Sequence, residues 1–244
     1  MERRDHHDWM SDTYVAEWIT RQRAADPERA QRFQLMCDLL PFPSDATATV
    51  LDVGAGYGPV SKFILDRYPH AICVAQDGSP PMLQRGQQLM ASYGARFQPH
   101  HSDLFDPHWL PQQAGPFDAA VSSICLHNLR DFQRISAIYR DIRAHLKPGG
   151  VFLNLDLVNT PTLTLLQHYG KAIALRRQRA EVGGEGVTAM MQRAQHTPAS
   201  ELAHAFPANL DEHLAALKAA GFSDVDCFWK DLRQALYGGY VASA

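Results

Sequence analysis

The chain has 244 residues and a net charge of −3, with 45% hydrophobic and 20% charged residues, the balance of an ordinary soluble globule long enough for one sizeable core. No basic face is apparent, so no nucleic-acid partner is expected, and no apolar run approaches the ~20 residues of a membrane span. The charged start, Met1 to Asp8, lacks the apolar core of a signal peptide, and the four cysteines, Cys37, Cys73, Cys125 and Cys227, lie far apart; reduced thiols in a cytoplasmic protein are expected.

Residues 9–40 read as helices. Trp9, Met10, Tyr14 and Trp18 fall three to four apart, and Phe33, Met36, Cys37 and Leu40 repeat that spacing. The first stripe is either a face packed on the domain or a cover over a ligand site, and both can hold together.

At residues 49–58 the sequence T-V-L-D-V-G-A-G-Y-G runs β-favouring residues into an acid and then three glycines at alternate positions, with Pro59 next. That predicts a buried strand, a tight turn and a helix whose first turn tolerates proline. Glycines allow positive φ and a close approach of backbone to a ligand. The spacing is G-x-G-x-G, not the G-x-G-x-x-G of dinucleotide folds, which argues against a nicotinamide oxidoreductase.

Residues 71–76 form a continuous apolar strand of the kind parallel sheets bury, ending at Asp77. Ser79 is expected to cap a helix beginning at Pro80, with Met82, Leu83, Leu89 and Met90 on its apolar face. A third strand at 96–100 is placed by position. A fourth follows at 117–123, then a helix capped by Asp131 with Phe132, Ile135, Ile138, Tyr139, Ile142 and Leu146 on one face. Lys147-Pro148-Gly149-Gly150 stops that helix before a fifth strand at 151–157.

Alternation breaks at 158–208, where helical stretches (163–178 most clearly) and Gly183-Gly184-Glu185-Gly186 suggest a helical insertion over the site. Asn209 with Glu212 predicts a capping box on the last helix, and residues 225–229 and 236–240 close the sheet. The expectation is one doubly wound α/β domain, divided into a helical cover (1–45), a core (46–157), the insertion (158–208) and a C-terminal helix with two strands (209–244).

Five motifs in this order, D-V-G-A-G-Y-G, Q-D-G-S-P-P-M-L, S-D-L, F-D-A-A-V-S-S-I-C-L-H-N-L and L-K-P-G-G, resemble the class I S-adenosylmethionine-dependent methyltransferases over residues 9–241. Small bacterial enzymes with a tail like G-F-x-D-V-D-C-F-W-K are the nearest in kind. The resemblance implies a Rossmann-like seven-stranded sheet, its last strand antiparallel and inserted between the fifth and sixth. It implies S-adenosylmethionine as cofactor, S-adenosylhomocysteine as product, and no metal.

Under that resemblance Gly54, Gly56 and Gly58 lie beneath the methionine part of the cofactor. Asp77 takes the ribose hydroxyls, Met82 packs on adenine, and Asp103 receives the adenine amino group beside the backbone of Leu104. Asp52, Ala55, Gly78, Ser102 and Ser122 complete the cofactor set, since the carboxyl ends of parallel strands share one crevice. His127 is the candidate general base, either taking a proton or only packing on the cofactor. It stands in L-H-N-L where relatives often show L-H-H-L, so Asn128 argues against a two-histidine mechanism. Asp156 either binds the acceptor or caps a loop. Trp9, Tyr14 and Trp18 are candidate acceptor contacts. Trp229 beside Lys230 suits a flat or partly anionic acceptor, unless Trp229 is core and Lys230 solvated.

His100, His101, Asp103, Asp106 and His108 have no spacing that makes a compact metal site. Arg176-Arg177-Gln178-Arg179 reads as a solvated helix face. The expected function is methyl transfer to a small molecule by in-line displacement. The alternatives are a tRNA-modification enzyme of the same fold, including the wobble-uridine carboxymethyl branch and its carboxy-cofactor synthase, or a non-catalytic cofactor-binding regulator. A homodimer is one assembly open to the chain.

Overall fold

A computed structural model describes residues 8–24, 26–111, 115–180 and 206–243. Much of the expected insertion, with its glycine cluster, lies outside the described residues, as do the side chains of Arg177 and Arg179. The helices α1 (Asp12–Ala24) and α2 (Asp26–Asp38) precede β1 (Thr49–Val53), α3 (Pro59–Arg67), β2 (Ile72–Asp77) and α4 (Pro80–Leu89). Then come β3 (Phe97–His101), β4 (Phe117–Ser123), α5 (Phe132–Ala144), β5 (Leu146–Leu157) and α6 (Leu163–Ala180). The chain ends with α7 (Leu210–Ala219), β6 (Ser223–Asp231) and β7 (Gln234–Tyr240).

One seven-stranded sheet has the order β3-β2-β1-β4-β5-β7-β6. The strands β1 to β5 pair in parallel, while β7 runs antiparallel between β5 and β6. This is the Rossmann-like doubly wound fold, with the last strand inserted as expected. Four of the five β1 residues are buried because both faces of the sheet are covered. On one face Phe33, Met36 and Cys37 of α2 and Val60, Ile64 and Leu65 of α3 pack on the strands. On the other, Ile135, Ile138, Tyr139 and Ile142 of α5 and Leu217 of α7 do so. Fully burying each such side chain stabilises the fold by roughly 1.5–3 kcal/mol.

The expected caps form. Asp131 accepts from the N–H groups of Gln133 and Arg134, and Asn209 and Glu212 make a reciprocal capping box. Several strand bounds move outward, because backbone ladders extend past the apolar residues that reveal them in sequence; β6 and β7 pair as far as Asp231 with Gln234. The Lys147-Pro148-Gly149-Gly150 stretch is corrected most: it does not separate helix from strand but lies within β5. Leu146 already pairs with Phe117, and the register shifts before Ala119 pairs with Val151. Gly149 (φ +76°) and Gly150 then bond to Val241. The Gly238-Gly239 pair has a steric cause, since a Cβ on Gly238 would sit 1.9 Å from the Phe152 carbonyl oxygen.

All four cysteines are free thiols. Among the described residues, no helix is long and apolar enough to cross a membrane.

Candidate active site

The carboxyl ends of β1, β2 and β4 open into a cavity of about 620 Å³, within the range of small-molecule sites. Its floor is the turn after β1. Gly54 (φ +64°) and Gly56 (φ +58°) hold left-handed conformations that favour glycine. A Cβ on Gly54 would lie 2.0 Å from the Cys125 sulfur, so glycine is also required by contact. The Gly58 residue, at φ +84°, starts α3 below the cavity.

Side chains brace this turn from beneath. Asp52 is 1% exposed and accepts from the Ser61 N–H at 3.2 Å and its hydroxyl at 2.7 Å. Burial raises its carboxyl to about 6, partly offset by those hydrogen bonds. Asp52 therefore faces the root of α3 and does not line the cavity. Gln76 joins three strand ends: its side chain accepts from the Gly54 N–H at 3.1 Å and donates to the Ser102 carbonyl at 2.7 Å. Ser122 donates to the Val53 carbonyl at 2.9 Å and locks β4 to β1. Ser102 and Ser122 are thus structural ties behind the wall, while Gln76, which the sequence reading overlooked, lines the cavity itself.

Asp77 lines the cavity between the turn and α4, and accepts from Gly56 N–H on one oxygen and Ser79 N–H on the other, each at 2.8 Å. Burial raises its carboxyl above the usual range, against the pull of those N–H groups. Two backbone donors leave a carboxylate further acceptor sites, so Asp77 can still receive a diol. Ala55, Gly78, Met82, Asp103 and Leu104 share the same wall. Arg134 of α5 fixes the loop beyond by donating to the carbonyls of Leu104 and Asp106.

The N-terminal helices roof the cavity. Trp9 and Trp18 line it and meet edge to face at 5.4 Å, and Trp18 meets Tyr57 at 6.2 Å. The Ser79 hydroxyl donates to the Trp9 carbonyl while accepting from Met82 N–H, so one residue caps α4 and ties down the roof. Tyr14 stacks on Trp9 from outside the lining. Arg29 of α2 also lines the cavity and donates to the Tyr57 hydroxyl at 2.9 Å.

His127 and Asp156 form a dyad beside the cavity, next to its lining residues Cys125 and Asn128. Asp156 accepts from the His127 N–H at 3.0 Å and meets its Nδ1 at 2.5 Å. Leu157 N–H adds a third bond at 2.8 Å. With Nδ1–H donated to the carboxylate, Nε2 is the basic nitrogen; that tautomer is assigned from the hydrogen bonding. Phe206 stacks edge to face on the ring at 5.5 Å. The Cys125 thiol is pushed well up by burial and by the carboxylates of Asp77, Asp156 and Asp52, which disfavours its thiolate.

Trp229 and Lys230 lie elsewhere. Arg32 sits over the Trp229 ring at 4.8 Å, and Lys230 donates to the Leu232 carbonyl at 2.7 Å beside Tyr169. Neither lines the cavity. Among the described residues, no group of three or more His, Cys, Asp or Glu is placed to hold a metal ion.

Residues 50–150, from β1 to the start of β5, match a family described as a methyltransferase domain. The chain is 30% identical over 122 residues to a trans-aconitate 2-methyltransferase from Azoarcus sp., covering 50% of this chain and 44% of that protein. It is 31% identical over 111 residues to a malonyl-[acyl-carrier protein] O-methyltransferase from Xylella fastidiosa, covering 43% of this chain and 33% of that one. The chain thus spans less than half the length of both relatives. Human N-acetylserotonin methyltransferase, solved in complex with SAM, has the same fold at a TM-score of 0.61 and 17% identity, over 96% of this chain and 58% of that one.

Proposed function

We propose that this chain, whose residues 50–150 match a methyltransferase-domain family, is an S-adenosylmethionine-dependent methyltransferase acting on a small-molecule acceptor. The observation that carries the reading is the joining of the Gly54–Gly56 turn and the Asp77 carboxylate in one cavity. It has the size for a nucleoside bearing an amino-acid tail, and the Asp77 carboxylate keeps acceptor sites for a diol. Glycine at 54 also fixes the floor, because a Cβ there would collide with Cys125 of the opposite wall.

Bound there, S-adenosylmethionine supplies an activated methyl on a sulfonium. Asp77 would hold the ribose by charge-assisted hydrogen bonds, Met82 would pack on the adenine, and Asp103 with the Leu104 backbone would bind the base edge. Trp9 and Trp18 close the roof against water, which strengthens each polar contact inside. His127 Nε2 takes the proton of an acceptor hydroxyl or amine as that atom attacks, and Asp156 holds the ring and balances the imidazolium. Asp156 is then a positioning residue. Most of the rate is asked of in-line placement rather than of covalent help from the protein.

The test is transfer of label. The chain is incubated with methyl-labelled S-adenosylmethionine and a cell extract, then small molecules, RNA and protein are separated. Label is expected in the small-molecule fraction; label confined to RNA moves the assignment to nucleic-acid modification.

A further inference from the structure

Three residues beyond Lys230, on the turn between β6 and β7, stands a cation the reaction above has not used. Arg233 packs its guanidinium on the Phe206 ring at 4.1 Å, and Phe206 in turn meets the His127 imidazole at 5.5 Å. The backbone holds this corner firmly: Val158 N–H donates to the Arg233 carbonyl at 2.8 Å, and Asn159 binds Ala208 and Phe206 at 2.7 and 3.3 Å. Yet the guanidinium has little to bond. Its Nε reaches the Val158 carbonyl only at 3.5 Å, its Nη2 is buried without a hydrogen-bond partner, and among the described residues no carboxylate is within ion-pair distance of it.

A half-buried cation with an orphaned N–H group is costly unless something supplies the missing charge. We propose that Arg233 is the receptor for a carboxylate on the methyl acceptor, holding it so that the acceptor's reacting atom faces the His127–Asp156 dyad. This rests on the methyltransferase reading for the word acceptor, but the anion site itself does not. The planar fork matches a carboxylate with two parallel hydrogen bonds, and the Phe206 face leaves only the in-plane edges for a partner. One buried positive charge calls for one negative charge; a doubly charged phosphate overshoots it. Burial alone pulls the guanidinium down to about 10, which still leaves it charged at neutral pH. Arg233 thus takes the place that the sequence reading offered to Lys230, whose ammonium is engaged by Leu232 and Tyr169.

The test is calorimetric, with acetate, succinate, citrate and benzoate as probes, benzamide as the uncharged control and inorganic phosphate as the rival anion. Each is titrated into the chain alone and into the chain loaded with S-adenosylhomocysteine. At least one carboxylate should bind and benzamide should not. R233Q should weaken that carboxylate by about tenfold or more while leaving S-adenosylhomocysteine affinity unchanged. R233K, which keeps the charge and loses the fork, should fall between; it also serves as the deciding variant if R233Q does not fold. The proposal is overturned if no carboxylate binds, if phosphate binds in preference, or if the variants bind the carboxylate as tightly as the original chain. Carboxylate binding without any S-adenosylhomocysteine binding would sink the methyltransferase reading and leave the anion site standing.

Discussion

The glycine turn under the cavity and the His127 corner beside it sit on the same edge of one sheet but are assembled in opposite ways. The turn is local: Asp52 of β1 and Gly54 and Gly56 just after it lie within a few residues, met by Gln76 and Asp77 at the end of β2 and by Cys125 after β4. The corner is remote, joining Asp156 of β5, Phe206 ahead of α7, and Arg233 between β6 and β7 to a histidine after β4. A chain conserves shape most easily where neighbours in sequence are neighbours in space. The turn is accordingly suited to a fixed ligand and the corner to a variable one.

The sharpest way to break this contrast is at Gly54. Gly54→Ala drives a Cβ into Cys125 at a left-handed φ, so cofactor binding should be abolished and stability should fall by about 1–3 kcal/mol. Titration and thermal melting check it, and normal binding would mean that the turn is not a floor.

His127→Ala should act on the other region alone. Turnover should fall about 100-fold or more while S-adenosylhomocysteine affinity stays near that of the original chain. If both drop together, His127 is packing and the two regions are not separable.

Asp52→Asn probes the support beneath the turn. The folded carboxyl titrates at about 6 against an ordinary 3.8. Its contribution to stability is therefore complete below the ordinary value and lost as pH rises through about 6. Between those limits the original chain should lose up to about 3 kcal/mol that the asparagine variant does not. Denaturant melts of both proteins from pH 4 to 7 measure the difference, and parallel curves would contradict it.

The smallest effect is expected at Lys230. Its partners are the Leu232 carbonyl and Tyr169, so Lys230→Met should change turnover by no more than about twofold. A large loss would move the acceptor pocket onto β6.

The turn was legible in sequence because glycine spacing, an acid after each strand and a Ser79-Pro80 cap are all short-range signals. What was hidden there is direction: nothing in sequence says that Asp52 turns inward to Ser61 while Asp77 turns outward, or that the polar Gln76 in an apolar strand braces three strand ends. The alternation of strands and helices was legible for the same reason, whereas the inserted antiparallel strand followed only from the family resemblance. Lys147-Pro148-Gly149-Gly150 misled because its helix-stopping residues are also bulge residues, and only the pairing of Leu146 with Phe117 decides between them. At the corner, Lys230 is conspicuous in sequence as a cation beside tryptophan. Arg233 carries no such signal, because its surroundings, Phe206 and Val158, are far away in the chain.

The measurement that bears most directly on the account is a calorimetric titration of S-adenosylhomocysteine into the original chain and into Asp77→Ala. One site per chain is expected in the first and affinity more than about tenfold weaker in the second, with melting temperature little changed. Equal affinities, or no binding to the original chain, would contradict it.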